Sequence, residues 1–155
     1  MTKRHLSLTW SYSAAGDRGR VLNAAGIYCV WAVAEPDPAR APASGPRHAT
    51  LLYIGISDDV NRRLNGRHES ESCWRGCLSP GEVLAFTQAP LVKNPAGPDA
   101  EAEAEAVERC LISIYLPPCN NRELTYVCDY DLMLVHSGDL MGVLNPYDRC
   151  FADER

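Results

Sequence analysis

Phosphodiester hydrolysis can use three kinds of group, a phenol, a guanidinium and a carboxylate, which this chain supplies at Tyr28, Tyr53, Arg63 and Glu108. The reaction needs an activated water, positive charge beside the phosphate and relief of charge on the leaving oxygen. A tyrosine hydroxyl near a cation can accept a proton, and an arginine can brace a phosphate through two parallel hydrogen bonds. One carboxylate can anchor a divalent cation whose other ligands are water and phosphate, as Mg²⁺ prefers. Taken singly, each residue is an ordinary strand, helix or surface residue, so only their combination indicates a site.

Strands must position the two tyrosines. Gly26 to Ala34 is a run of apolar and β-prone residues, and Thr50 to Ile56 is a second run. We predict that they pair as an antiparallel hairpin across a long proline-rich loop at residues 35–49. Glu82 to Ala89 predicts a third strand, so that the tyrosines lie on adjacent strands of a rigid scaffold.

Helices must position the arginine and the glutamate. One helix is predicted to begin with Ser57 as its cap and to end at Gly66, and it carries Arg63. A second helix, from about Ala100 to Tyr115 with Asp99 as its cap, is favoured by its alanine content and carries the glutamate.

The motifs in this arrangement resemble those of a known nuclease superfamily. Gly26-Ile27-Tyr28 and Tyr53-Ile54-Gly55 resemble the two name-giving motifs of the GIY-YIG nucleases. The segment from Tyr53 to Arg63 is similar to that family's second motif and its catalytic arginine. The segment from Glu108 to Asn120 resembles the family's metal-binding glutamate, the helix after it and the closing asparagine. The resemblance covers about residues 24–121.

The resemblance implies an α+β fold in which a small three-stranded antiparallel sheet is flanked by helices. Additional strands are expected at the termini, at residues 6–12, 124–128 and 132–135. We expect one domain over residues 1–155, with a core at about 24–121 and a C-terminal extension at 122–155 that has no counterpart in the family.

The resemblance also implies roles for the site residues. Tyr28 would be the general base or its direct helper, Tyr53 would orient the attacking water or contact the phosphate, and Arg63 would stabilise the transition state. Glu108 would be the sole protein ligand of Mg²⁺ or Mn²⁺, and His68 is a candidate for an additional catalytic position. Site support is expected from Gly26, Gly55 and Asn120, and contacts to the nucleic-acid backbone from Arg62 and Arg67.

The chain departs from the family pattern in ways that bear on activity. The loop between the two motif tyrosines is longer by roughly a dozen residues. Ile56 stands where a basic or polar residue is common, and His68 follows Arg63 by five residues instead of four. The second helix is acidic before its candidate metal ligand, which would repel DNA unless those side chains face away.

Composition limits where the protein acts and what it binds. The chain has 155 residues, a formal net charge of -5 and no apolar run of the roughly 18 residues that a membrane span requires. We therefore expect a cytoplasmic protein without membrane contact, and the acidic balance argues against indiscriminate binding of nucleic acid. DNA is the expected partner, with RNA open. A monomer, a homodimer and a partner chain that supplies specificity also remain open, and the alternative function is a binding module of the same fold with little or no activity.

Seven cysteines, an odd number with no secretory signal, predict reduced thiols. Cys73 and Cys77 lie in a segment that we predict to be a loop, and their spacing would suit zinc if other thiols joined them. No second pair has such a spacing, so unliganded thiols are the preferred interpretation.

Overall fold

The structure is a computed structural model that describes residues 2–14, 18–35, 48–91, 100–121 and 130–152. Three predictions fall partly or wholly outside these residues: most of the 35–49 loop, the Asp99 cap and the strand at 124–128. The described elements are β1 (Thr2–Ala14), a 3-10 turn (Arg18–Arg20), β2 (Gly26–Ala34), β3 (Ala49–Ser57), α1 (Val60–Asn65), α2 (Glu71–Gly76), β4 (Glu82–Pro90), α3 (Ala100–Tyr115), β5 (Tyr130–Gly138) and β6 (Tyr147–Cys150).

The six strands form one curled mixed sheet in the order β3-β2-β4-β1-β5-β6. β1 and β5 run parallel, and every other neighbouring pair is antiparallel. The predicted hairpin of β2 and β3 is confirmed. The predicted fold class, a small three-stranded antiparallel sheet flanked by helices, is wrong. β2, β3 and β4 are only half of the sheet, because β4 uses its other edge to pair with β1, and β1 in turn pairs with the C-terminal strands.

Both faces of β2 are buried, and the alternation along the strand decides which helices its side chains meet. One face packs with α3 residues such as Val107 and Leu111. The other packs with Val60 and Leu64 of α1 and Trp74 of α2. The first face presents Ile27, Cys29, Trp31 and Val33, and the second presents Tyr28, Val30 and Ala32. Tyr28 therefore points toward α1 and α2.

β3 lies at an edge of the sheet, and the turn after α3 covers that edge. Its pairing with β2 contains a bulge in which Leu52 is the extra residue, next to Tyr53. The backbone N–H of Cys119 donates to the Leu52 carbonyl at 2.9 Å. The side chain of Asn120 accepts from the Ile54 N–H at 2.9 Å and donates to the Ile54 carbonyl at 2.8 Å. These bonds satisfy backbone groups along the edge of β3 that would otherwise be unpaired. They also fix the turn that leads from the α3 face of the sheet toward the α1–α2 face.

The local caps differ from the prediction in two places. α1 is capped by Asp59, whose side chain accepts the N–H of Arg62 at 3.0 Å, because Ser57 instead bonds the backbone of Asp59. The segment that was predicted as a loop after Gly66 contains the short helix Glu71–Gly76. Six residues are too few for helical periodicity to be recognised in the sequence.

A buried polar network fixes α3 against the C-terminal strands. Trp10 Nε1 donates to His136 Nδ1 at 3.0 Å, and Nε2 of the same ring lies 3.1 Å from the carboxylate of Asp148. The hydroxyl of Tyr115, at the end of α3, donates to that carboxylate at 2.6 Å. Burial alone would raise the pKa of Asp148, but the hydrogen bonds from His136 and Tyr115 lower it overall. The C-terminal extension is thus an integral part of the sheet.

The cysteines are placed differently from the prediction of reduced thiols. Disulfides join Cys73 to Cys119 and Cys110 to Cys150, across sequence separations of 46 and 40 residues. Cys29 is a free buried thiol, and Cys77 is a free thiol near the first disulfide. Within the described part of the chain, no helix combines the length and hydropathy that crossing a membrane would require.

Candidate active site

The side chain of Tyr28 can pack across β3 because Gly55 leaves room for it. The two residues are register partners across β2 and β3. A Cβ atom on Gly55 would lie 2.6 Å from the Tyr28 hydroxyl oxygen and 2.8 Å from the ring of Tyr53. The rings of Tyr28 and Tyr53 stack with centroids 6.0 Å apart. The glycine of the YIG motif thus permits the close approach of both motif tyrosines.

His68 contacts the buried hydroxyl of Tyr28. Nε2 of His68 lies 2.9 Å from the Tyr28 oxygen, while Nδ1 accepts the backbone N–H of Ser70 at 3.0 Å. Burial, followed by the positive charge of Arg63, lowers the pKa of His68 to about 4, so the ring is neutral at neutral pH. Because Nδ1 acts as an acceptor, the single ring proton sits on Nε2 and is donated to Tyr28.

Arg63 lies between the Tyr28 hydroxyl and the protein surface, where it meets Glu69. Its guanidinium hydrogen-bonds Tyr28 and also lies 2.6 Å and 2.7 Å from the two carboxylate oxygens of Glu69. Burial, followed by the neighbouring Tyr53, raises the pKa of Tyr28 well above its ordinary value, and the guanidinium opposes that rise. The Tyr28 oxygen therefore has two donors, Arg63 and His68, directed at it.

Tyr53 is the motif tyrosine that faces the outside. Its hydroxyl hydrogen-bonds that of Tyr28, and its ring packs on Trp74 with centroids 5.5 Å apart. Burial, then the charges of Glu108 and Glu69, raises its pKa. Tyr28 is only 1% exposed, so a molecule in the adjoining cleft would meet Tyr53 and not Tyr28.

The cleft has a volume of about 380 Å³ and opens beside the covered edge of β3. Glu108 reaches it from α3, while Glu69 reaches it from the segment between α1 and α2. Its remaining lining is mostly polar and includes an amide pair from the turn after α3. The lining residues are Tyr53, Glu69, Ser70, Glu108, Ile112, Cys119, Asn120 and Asn121.

The structure separates the other predicted residues into supports and surface groups. Asn120 braces β3 and lines the cleft, as described above. Gly26 allows β2 to approach β4, since a Cβ there would lie 2.6 Å from the carbonyl oxygen of Ala89. Arg62 is exposed and pairs with Asp58 at 3.3 Å, and Arg67 is exposed. Neither of these two arginines lines the cleft.

Sequence reasoning missed the partners that surround the motif residues. Glu69, which holds Arg63, and Trp74, whose ring lies 4.3 Å from that of His68 between centroids, carry no motif of their own. Cys119 was not grouped with Cys73 because 46 residues separate them. Such contacts depend on tertiary structure and leave no periodic signal. No family model, no curated protein and no solved structure matches this chain.

Proposed function

We propose that the protein is a divalent-metal-dependent endonuclease that hydrolyses DNA phosphodiester bonds in the cleft beside β3. One observation carries the proposal: Tyr53 and Glu108 share a polar cleft, and Tyr53 packs on the buried pair of Tyr28 and His68, beside which the partly exposed Arg63 lies. These are the types of residue that the reaction uses, and they come from three separate parts of the chain. Convergence of that kind is favoured at functional sites.

The donor set of the cleft fits a hard cation. Glu108 offers a carboxylate, and Asn120, Asn121 and Ser70 add neutral oxygens, which are the ligands that Mg²⁺ or Mn²⁺ prefers. Held by Glu108, such a cation would supply positive charge that polarises the phosphate and a bound water and that offsets the carboxylates around Tyr53.

The hydroxyls of Tyr53 and Tyr28 form a path for the proton of the attacking water. Because its pKa is raised, Tyr28 must first lose its proton to solvent through Tyr53. As the water oxygen then attacks phosphorus, the bond to the leaving oxygen breaks and that oxygen takes a proton from solvent. The proton of the attacking water passes to Tyr53, whose own proton passes to the Tyr28 phenolate. That phenolate would accept three hydrogen bonds, from Tyr53, Arg63 and His68. Tyr28 remains the general base of the proposal, but it acts through Tyr53 because it is itself buried.

Arg63 is the proposed phosphate ligand, and Glu69 acts as its partner before substrate binds. In the Glu69 contact one guanidinium nitrogen, Nη2, meets both carboxylate oxygens, and a phosphate would replace it with two parallel hydrogen bonds from the guanidinium. The Glu69 side chain is 69% exposed, so it can turn into solvent without losing a buried environment. The Arg63 guanidinium then exchanges one anionic partner, Glu69, for another, the phosphate, and keeps an ion pair throughout.

DNA is the proposed substrate, and a cytoplasmic location belongs to the same proposal. Arg62 and Arg67 are exposed near α1, where they could contact the nucleic-acid backbone. Such contacts read no base sequence, so specificity would come from nucleic-acid shape or from a partner chain. RNA is tested beside DNA, with matched oligonucleotides of one sequence.

A second candidate is a binding module of low activity. The bidentate contact between Glu69 and Arg63 favours it, because it occupies the only arginine that reaches Tyr28 among the described residues. The net charge of -5 points the same way.

Incubation of the purified chain with supercoiled plasmid and Mg²⁺ or Mn²⁺, beside samples with EDTA, separates the two candidates. The nuclease proposal expects nicked or linear plasmid only where the cation is present. A plasmid that stays supercoiled at every protein concentration, and matched oligonucleotides that stay intact, would favour the binding module.

A further inference from the structure

Three cysteine sulfurs converge beside the cleft, which Cys119 lines. The Sγ atoms of Cys73, Cys77 and Cys119 all lie within 4.8 Å of one another. Cys73 and Cys119 are joined as a disulfide, and the Sγ of Cys77 lies 3.8 Å from that of Cys119. A disulfide requires two sulfurs, so the position of the third is not explained by the bond.

Two rigid elements hold the three sulfurs in place. Cys73 and Cys77 are four residues apart at α2 and share one face of it, and the N–H of Cys77 donates to the Cys73 carbonyl at 3.1 Å. Cys119 is buried, and its backbone is bonded to the carbonyl of Leu52 on β3. The cluster is therefore built by the fold and does not depend on one mobile side chain.

The spacing of the sulfurs suits a tetrahedral metal ion. Zn–S bonds of about 2.3 Å at tetrahedral angles place two sulfurs about 3.8 Å apart. Cys77 and Cys119 already have that separation. Thiolates select soft or borderline ions such as Zn²⁺, whereas the oxygen ligands of the cleft select hard ones.

We propose that the reduced chain binds one Zn²⁺ through the thiolates of Cys73, Cys77 and Cys119, with water as the fourth ligand. Reduction of the disulfide by a water-soluble phosphine gives two thiols and a phosphine oxide, whose oxygen comes from water. Binding then replaces the three thiol protons by the ion and releases them to solvent. In the oxidised chain the disulfide engages the sulfurs of Cys73 and Cys119, so that form does not hold the ion.

The ion would connect α2, which supports the two tyrosines, to the turn after α3 that braces β3. α2 carries Trp74, which packs on His68 and Tyr53. Cys119 directly precedes Asn120, which bonds both backbone groups of Ile54. Zinc in this position stabilises one wall of the cleft. The proposal does not rest on nuclease activity, because metal content and spectroscopy test it.

The test measures zinc bound per chain in the full-length protein. Phosphine-reduced wild type is incubated with Zn²⁺, passed through a desalting column and analysed by elemental mass spectrometry. We expect equimolar zinc in the reduced protein and none in the oxidised protein. Co²⁺ in place of Zn²⁺ should give a near-ultraviolet thiolate-to-metal absorption band, which carboxylate ligands do not give.

Cys77→Ser is the diagnostic variant, because Cys77 is solvent-accessible and outside the disulfide, so the fold should survive. Its zinc affinity should fall at least about tenfold, since even the loss of an outer partner of a metal costs that much. Cys29→Ala removes a free thiol away from the cluster and should keep full zinc content. Equal zinc in wild type and Cys77→Ser, a Co²⁺ complex without the thiolate band, or loss of zinc in Cys29→Ala would each overturn the site.

Discussion

The hydroxyl oxygen of Tyr28 lies 2.9 Å from Nε2 of His68, on a neutral ring whose Nδ1 accepts the backbone N–H of Ser70. This arrangement directs an N–H of the histidine at the tyrosine oxygen. The positive charge of Arg63 opposes the rise in the pKa of Tyr28 that burial causes, but the pKa stays well above its ordinary value. Tyr28 is therefore placed to receive a proton through Tyr53, although no solvent reaches it.

Tyr28→Phe should abolish most of the proposed cleavage. The change removes the terminal proton acceptor, and loss of a general base costs about 10²–10⁴-fold in rate. It also leaves the buried Nε2 donor of His68 without its partner, so the free energy of unfolding should fall by about 1–3 kcal/mol. Tyr147→Phe, a change on a tyrosine that is 69% exposed, is the matched control. Single-turnover cleavage and urea unfolding measure the two effects, and a Tyr28→Phe enzyme as fast as the control would exclude Tyr28 as the base.

The depressed pKa of His68 predicts how stability depends on pH. The folded-state pKa is about 4, whereas an unfolded histidine has a pKa of about 6.5. Between these values the unfolded chain binds the additional proton, so this contribution to stability is complete above about pH 6.5 and is lost as the pH falls to about 4.

Urea unfolding at pH 7 and pH 5 tests this dependence in wild type, His68→Gln and His5→Gln, the last of which changes an exposed histidine. Wild type and His5→Gln should lose more stability between the two pH values than His68→Gln does. Equal losses in all three proteins would contradict the neutral, buried state of His68.

Glu69→Gln should strengthen binding of a phosphate backbone. The carboxylate now occupies the guanidinium of Arg63, and an amide competes with phosphate less strongly. Glu71→Gln is a matched control, because it removes the same charge from a neighbouring ion pair, that with Arg75 at 2.8 Å. We expect a several-fold lower Kd of Glu69→Gln for a DNA oligonucleotide, measured by fluorescence anisotropy at one fixed ionic strength. An equal change in both variants would mean that only the overall charge matters.

Gly55→Ala should disturb the site through sterics. The added Cβ would lie 2.6 Å from the Tyr28 hydroxyl and 2.8 Å from the Tyr53 ring, so both rings must move. Overpacking of this kind costs about 1–3 kcal/mol, and a displacement at the reacting groups lowers the rate further. At Gly76 no atom lies within 4 Å of an added Cβ, so Gly76→Ala is the control. Thermal unfolding and cleavage are compared, and a Gly55→Ala protein that matches the control in both would refute the packing argument.

Local sequence was sufficient to predict the elements that carry the motifs. The runs at β2 and β3 and the alanine-rich stretch of α3 have strong periodicity or propensity, and their predicted bounds agree closely with the structure. The parallel pairing of β1 with β5 could not be predicted in the same way. Alternation along β1 shows that one face is buried, but it does not identify the strand that lies alongside.

The surroundings of the site were harder to predict than its motifs. Arg63 and Glu69 are six residues apart, a separation that no helical or strand repeat brings together, and they meet only because the chain turns after Gly66. The five-residue spacing of Arg63 and His68, which departs from the family pattern, nevertheless brings His68 to Tyr28. The sulfur of Cys119 reaches Cys73 of α2 because the turn after α3 covers the edge of β3, and that placement depends on the whole sheet.

Glu108 is the residue to change first, because we propose that its carboxylate holds the metal. Glu108→Gln keeps the size of the side chain and removes the charge, while Glu105→Gln makes the same change at an exposed position one turn earlier on α3. Rates of plasmid cleavage are measured with each variant across a range of Mg²⁺ or Mn²⁺ concentrations, after thermal unfolding has established that both are folded. We expect Glu108→Gln to be slower by at least about a hundredfold and Glu105→Gln to resemble wild type. Cleavage by Glu108→Gln at the wild-type rate, with the same dependence on the cation, would rule out Glu108 as the metal ligand.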